Sequence, residues 1–451
     1  MPHVAVVADD MTGAADCALA FGEAGWRAHL ELGDGWTPFP GDDAHAAAAF
    51  STDARASADA RAATERAVRA ARAAGADRIY LKVDSTGRGT LADQIAGARA
   101  ALDDPLTVIC PAFPAVGRTV EAGRLRVDGR EATEGVAGAD PITPLRSSDL
   151  TVLVPGARTA LAGATGARTA DRLPAEPSDS PIADRLLADD SAAREEDRST
   201  DGASGPHADR LVAGASGPLI LDATTEGDLD RLAVRIADLE ERQPVLAVGS
   251  AGLARALARV WHSAPHDVTV PAPGTDLVVV SSLNPATRAQ VAHAEAHGAV
   301  HGELDVERMS DAELEAAVGD LLRSGRPAIA STSAPVAEKT SLGGNGPDLA
   351  TVPRGSAEPT EGVGAQRIAQ RLGAAAARAV LAERPGVVGF VGGDGASAAL
   401  TALGEPRALV AGRIAPGVPL LRLPVTGLAA WTKAGGFGPP TLLTDLIFPV
   451  R

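Results

Sequence analysis

The chain is 451 residues long, 45% hydrophobic and 22% charged, and carries a formal net charge of −16. Its length calls for two folded units rather than a single core, and its acidity excludes nucleic acid or an anionic membrane as a bulk partner while leaving room for a local pocket for a small anion. With only Cys17 and Cys110, far apart, no disulfide framework or thiolate metal site is expected, and without an export signal or a run of ~18 apolar residues the expectation is a cytoplasmic protein with no membrane partner.

In chain order, His3–Ala8 reads as a buried strand running into ADDMTGAADCALAF, a loop and a helix capped by Asp10 or Thr12. Ala58–Ala74 has helical spacing, Arg78–Val83 is the next strand and leads into DSTGRGT, and Leu106–Cys110 is a third strand followed by PAFPAVGR. From about 156 to 217 the composition shifts to Ala, Arg, Asp, Ser, Gly and Pro, which predicts a loose surface insertion. PLILDATTEGDLDRLAVRIADLE and VLAVGSAGLARALARVW then repeat the order strand, turn, helix. HSAPHDVTVPAPG breaks all periodicity and marks a boundary, which gives units at 1–262 and 276–451. The second unit opens with a strand at Asp276–Ser282 and a helix at Pro285–His297, then passes a second loose stretch at 333–362. Helix Ala365–Ala382, strand Val387–Val391, loop GGDGAS, helix Ala396–Leu403 and the segments PGVPLLRLP and WTKAGGFGPP complete it. Strands alternating with helices give an α/β fold of two domains, each with a mostly parallel sheet flanked by helices.

Arginine is plentiful, yet the only lysines are Lys82, Lys339 and Lys433, and two of these stand in glycine-rich segments. Asp9, Asp10 and Thr12 fall at the carboxyl end of the first strand, where open parallel sheets bind ligands; helix capping is the plain alternative. A phosphatase-type D-x-D-x-T nucleophile is excluded, because Ala8 holds the nucleophile's place. Lys82, Asp84, Ser85, Thr86 and Arg88 crowd the next strand end, a combination of charge, hydroxyls and accessible amides suited to a carboxylate or phosphate. A surface Asp84–Arg88 ion pair is the structural alternative. Gly87–Ala92 spell G-x-G-x-x-A, a weak dinucleotide fingerprint. Gly392, Gly393, Asp394 and Gly395, and Lys433, Gly435 and Gly436, form two further glycine loops whose amides can approach phosphate oxygens. Neither is a P-loop, since no G-x-x-x-x-G-K-[ST] occurs. His293, His297 and His301 lack an H-E-x-x-H context, and no metal site is expected there.

The ordered set ADDMTGA, KVDSTGRGT, PAFPAVGR with RVDG, VGSAGLARAL, SSLNPATRAQ, GGDGAS, PGVPLL and TKAGGFG resembles the four-carbon acid sugar kinase family, across both expected domains. The resemblance implies an N-terminal sugar-acid-binding domain, a C-terminal nucleotide-binding domain and ATP-dependent phosphorylation of the terminal hydroxyl of a tetronate or 3-oxotetronate. It places ATP contacts at Ser282, at Gly392–Gly395 and at Gly435 or Gly436. Phosphoryl transfer then asks for Mg²⁺ on the phosphates and a carboxylate near the attacking hydroxyl. Asp10, or failing that Asp84, takes the proton, while Lys82, Ser85 and Arg88 hold the acid's carboxylate. Two departures stand out. Where the family shows G-S before a C-S-P or similar run, this chain has Ser281-Ser282-Leu283-Asn284, and the G-G-D-T loop reads GGDG, so Gly395 removes a hydroxyl able to contact phosphate or Mg²⁺. An NAD-dependent hydroxy-acid oxidoreductase using Gly87–Ala92 and a non-catalytic sugar-acid binding protein are the alternatives, and a homo-oligomer is left open.

Overall fold

The computed structural model describes residues 2–33, 35–39, 45–140, 142–159, 217–262, 264, 268–333 and 359–448. Most of the two stretches expected to be loose, and Lys339 with them, lie outside the described residues. The first half contains β1 (His3–Ala8), β2 (Arg27–Glu31), β3 (Ala46–Ser51), β4 (Arg78–Lys82), β5 (Leu106–Cys110), the small antiparallel sheet β6 (Arg118–Glu121), β7 (Arg124–Val127) and β8 (Arg130–Glu131), then β9 (Arg158–Thr159), β10 (Leu219–Ile220) and β11 (Val245–Gly249). The second contains β12 (Leu277–Val280), β13 (Val300–Leu304), β14 (Ala328–Thr332), β15 (Val387–Val391), β16 (Arg407–Ala415), β17 (Val418–Arg422) and β18 (Ala429–Lys433).

The strands of both halves join one 15-stranded ladder in the order β13-β14-β12-β15-β18-β17-β16-β2-β3-β1-β4-β11-β5-β10-β9. From β2 to β9 every pairing is parallel, as is every pairing from β13 to β18. The two blocks are spliced by three antiparallel steps, β18 to β17, β17 to β16 and β16 to β2, so their strands run in opposite directions. A flat sheet would hold their carboxyl ends apart. Register breaks in β16 between Val410 and Gly412 and between Arg413 and Ala415 bend the splice, as bulges do.

Each block has a topological switch point. The chain leaves β1 toward β2 and β3 on one side and then crosses to β4 on the other; it leaves β12 toward β13 and β14 and then crosses to β15. Ligand crevices open at the carboxyl ends of such strand pairs. One crevice is therefore bounded by Asp9 and Asp10 after β1 and Asp84 after β4, the other by Ser281 and Ser282 after β12 and Gly392 after β15.

Local chemistry explains most elements. Asp10 caps the helix Met11–Glu23 by accepting from Gly13 N at 3.0 Å, and Thr225 and Asp228 form a capping box for the helix Glu226–Glu240. β3 runs against propensity, since Ala46–Ala49 favour a helix. Pairing with β1 and β2 on either side holds it extended with Ala46–Ala49 buried, and these small side chains admit the helix Met11–Glu23 closely. GGDG is likewise more than a connecting loop. Gly392, at φ +112, turns the chain out of β15 so abruptly that the helix begins at Gly393 and extends to Ala402.

Candidate functional site

At the β1–β4 crevice, β3 lies beside β1 with Ser51 opposite Ala8, and Thr52 N and Arg55 N bond the carbonyls of Ala8 and Asp9. That pairing delivers Arg55 into the β1–β4 crevice. Its Nε donates to Asp9 Oδ2 at 2.7 Å, and its Nη2 donates to Asp9 Oδ1 at 2.9 Å and Asp10 Oδ1 at 2.8 Å, with Asp84 Oδ1 3.6 Å away. Nη1 stands outside these contacts. Lys82 Nζ is 3.7 Å from Asp9 Oδ1 and 3.9 Å from Asp10 Oδ1, too far for hydrogen bonds. The lysine is nevertheless almost fully buried, with Asp9 and Asp10 as its charged neighbours. A Cβ on residue 13 would overlap Nζ, which explains why glycine follows Thr12.

The carboxylates differ in what they have left to offer. Burial opposes ionisation of Asp10, yet Arg55 and Lys82 outweigh it and hold its pKa below the ordinary value. Its Oδ1 accepts from Gly13 N and Arg55, whereas Oδ2 accepts only from Thr12 Oγ1, at 2.5 Å. Asp84 is also buried, and Arg88 and Arg55 force its pKa well below the usual range. Its Oδ2 accepts from Thr86 N, Thr86 Oγ1, Arg88 N and Arg88 Nε, and its Oδ1 from Arg88 Nη2. Arg88 clamps both oxygens of Asp84 and four donors crowd its Oδ2, whereas Asp10 Oδ2 keeps a lone pair and has no cation bonded to it. Arg88 is equally committed, because its Nη1 bonds Asp140 Oδ2 at 2.5 Å. Asp9 is wholly buried beneath Arg55. Lysine 82 is pulled the other way: burial disfavours its charge, but Asp9 and Asp10 raise its pKa.

On the nucleotide-like side, the expected residues converge. A Cβ on Gly435 would overlap Ser282 Oγ, one on Gly436 would lie 3.0 Å from Asn284 Nδ2, and one on Gly392 would lie 3.1 Å from Ser282 N. The helix Gly393–Ala402 starts with no side-chain cap, so its first amides are available to an anion. The loop after β18 is pinned by its carbonyls. Thr287 Oγ1 donates to Gly435 O at 2.5 Å, and Gln290 Nε2 lies 3.0 Å from the carbonyls of Phe437, Gly438 and Pro439. Lys433 belongs to this scaffold rather than to the crevice wall. Its side chain is fully buried and its Nζ donates back to Ala434 O at 2.8 Å and Gly435 O at 3.3 Å. Burial lowers its pKa to about 7.

The two sides touch. A Cβ on Gly393 would lie 3.0 Å from Asp10 Oδ2, the oxygen with the spare lone pair. Ser397 Oγ donates to Asp53 Oδ2 at 2.7 Å. Asp394, in the first turn of the same helix, is raised to about 6 by burial, then by repulsion from Asp53 and Asp10, against the pull of Arg55.

Of the expected sugar-side residues, Asp10 and Lys82 lie together at the β1–β4 crevice and Ser85 is half-buried in the loop after β4, while Asp9, Thr12, Asp84, Thr86 and Arg88 hold one another and their neighbours. Arg55 and Asp53 carry no motif in the sequence; they follow an alanine run whose propensity is helical. Gly87 and Gly89 have positive φ, but a Cβ on Gly87 would lie 2.5 Å from Leu125 Cδ1 and one on Gly89 2.5 Å from Arg55 O. That fingerprint packs against protein instead of framing a pyrophosphate. Among the described residues no cluster of three His, Cys, Asp or Glu side chains is arranged to hold a metal, and no helix is long and apolar enough to cross a membrane.

The families described as sugar-binding N-terminal domain and nucleotide-binding C-terminal domain match residues 4–257 and 277–443. A D-threonate kinase of Bordetella bronchiseptica is 34% identical over 100% of this chain and 98% of its own length, and a 3-oxo-tetronate kinase of Methylobacterium radiotolerans is 29% identical over 96% and 95%. A solved Salmonella typhimurium LT2 structure covers 100% of both chains at 23% identity with a TM-score of 0.68, a likeness of fold. With sugar-binding and nucleotide-binding families in tandem and kinases as relatives along its whole length, the chain belongs to the four-carbon acid sugar kinase family and is a carbohydrate kinase.

Proposed function

We propose that the chain transfers the γ-phosphoryl group of ATP to the terminal, C4 hydroxyl of a four-carbon sugar acid, with D-threonate as the first candidate because the 34% identical relative carries that name. The observation that carries the reading is the approach of Gly393 to Asp10, which brings the head of a nucleotide-type helix against a carboxylate of the sugar-side crevice.

In this reading Arg55 Nη1, Lys82 Nζ and the Ser85 hydroxyl receive the acid's carboxylate and inner hydroxyls, and Asp10 Oδ2 accepts a hydrogen bond from the attacking hydroxyl. A low pKa suits Asp10 for this task. In a loose phosphoryl-transfer transition state the carboxylate orients the hydroxyl and takes its proton late, so alignment matters more than basicity. Asp84 is unsuited to the role because Arg88 clamps both its oxygens and Thr86 also holds Oδ2. Gly393, Asp394 and Gly395 offer amides to the phosphate chain, with Ser282, Gly435 and Gly436 completing the nucleotide site.

A divalent cation fits this donor set. Asp394 is a poorly compensated carboxylate facing Asp53 and Asp10, and Mg²⁺ is held by one or two carboxylates with substrate phosphates rather than by an all-protein cage. Asp394 would hold it, and the ion would supply neutralisation of charge on the phosphates.

The test is ADP formation by the purified protein with Mg²⁺-ATP and a panel of D-threonate, L-threonate, D-erythronate and a 3-oxotetronate, with phosphorus NMR to locate the phosphate. Acceptor-dependent ADP and a 4-phosphate are expected. ADP release indifferent to every tetronate would refute the reading.

A further inference from the structure

Ser281, the first residue after β12, has no assigned task, yet its side chain occupies the head of the helix Gly393–Ala402. A Cβ on Gly392 would lie 2.5 Å from Ser281 Oγ, and a Cβ on Gly395 would overlap that oxygen and come within 2.6 Å of Ser281 Cβ. The space that a side chain at 395 would fill is thus filled from the facing strand.

The hydroxyl is also weakly committed. It donates to Val391 O at 3.3 Å, but that carbonyl already accepts from Ser281 N at 3.0 Å and Ser282 N at 3.3 Å. A carbonyl oxygen has two lone pairs, so the hydroxyl is the surplus third donor. Ser281 is half-buried at the crevice, and a rotation about one bond releases its proton to another acceptor.

We propose that the Ser281 hydroxyl contacts the nucleotide, donating to an oxygen of the outer (β or γ) phosphates of a nucleoside triphosphate seated on the amides of Gly393, Asp394 and Gly395. This rests on the nucleotide reading above and adds to it a residue that replaces, from the opposite wall, the hydroxyl missing at position 395. Ser281 and Gly395 therefore form an exchangeable pair: one hydroxyl belongs in this volume, and two side chains do not fit.

The experiment measures Mg²⁺-ATP and AMP affinities by isothermal titration for wild type, Ser281→Ala, Gly395→Ser and Ser281→Gly/Gly395→Ser. Ser281→Ala should weaken ATP roughly 10-fold, the scale of one hydrogen bond to a charged group, and leave AMP, which lacks the outer phosphates, nearly unchanged. Gly395→Ser alone should bind neither nucleotide well, and the double variant should recover ATP affinity. ATP affinity untouched in Ser281→Ala, equal loss of ATP and AMP, or a double variant no better than Gly395→Ser would each overturn the assignment. Wild type that binds ATP while Ser281→Ala is unaffected sinks this inference alone; wild type that binds no nucleotide sinks the kinase reading with it.

Discussion

Ser397 Oγ donates to Asp53 Oδ2 at 2.7 Å, and this single bond spans 344 residues of sequence. Asp53 sits at φ +48 in the loop that also carries Arg55, and Ser397 is on the helix headed by GGDG. The guanidinium that organises the β1–β4 crevice is thereby tied to the element proposed to hold the phosphates.

Ser397→Ala tests whether the tie couples the two ligands. Asp53 keeps its bond from Ser51 at 2.7 Å, so the loss of stability should be about 1 kcal/mol. Sugar-acid affinity should fall several-fold when a nonhydrolysable nucleotide is bound and change little without it. Identical affinities in both conditions would show that the bond is merely local.

Asp10→Asn and Asp84→Asn separate chemistry from architecture. Asp10→Asn should lower kcat by ~10²–10⁴ in the folded enzyme, and should also lose stability because Arg55 and Lys82 lose a buried counter-charge. Asp84→Asn should destabilise the fold by ~3 kcal/mol, because Arg88 and Arg55 lose a buried counter-charge, with a much smaller fall in kcat. The comparison needs only steady-state rates and urea unfolding, and a wild-type rate in Asp10→Asn removes it from the proton-accepting role.

Gly13→Ala should push Lys82 Nζ out of its place above the helix Met11–Glu23. Its KM for the sugar acid should rise ~10-fold or more, with the KM for ATP about unchanged. Equal effects on both substrates would point to general damage instead.

Much of this arrangement is legible in the sequence. Valine-rich strands followed by Asp, Lys or Gly stand out because a strand buried on both faces and a ligand-facing turn have opposite compositions. β3 does not stand out, since alanine carries helix propensity and only pairing with β1 and β2 makes Ala46–Ser51 extended. Arg55 and Asp53 are lost with it. Asp84, Arg88 and Lys433 are found as chemistry-bearing residues, but their division between contact and support depends on distances: Arg88 turns inward to Asp84 and Asp140, and Lys433 curls onto its own loop. Ser281 is hidden because its signal is the vacancy at Gly395, more than 100 residues away.

Lys433 makes stability depend on pH in a defined direction. Burial lowers its pKa from 10.5 to about 7, so between those values the unfolded chain holds a proton that the folded chain has released. More protons on the unfolded state means stability rises with pH across that window, by up to about 1.4 kcal/mol per unit, and the penalty is fully present below pH 7. Lys433→Met should remove this slope. Urea unfolding at pH 6, 8 and 10 should show the variant gaining most on wild type at pH 6; a gain that grows with pH would contradict the assignment.

The shared strand β16 has a consequence for any attempt to divide the protein. Arg407–Leu409 pair with β2 while Leu409–Ala415 pair with β17. Cut between 262 and 276, the first fragment would bare the β2 edge and the second the β16 edge, each a template for unwanted strand addition. The halves match separate ligand-binding families, but the shared sheet predicts that they do not stand alone: co-expressed fragments should find each other, and either one alone should aggregate.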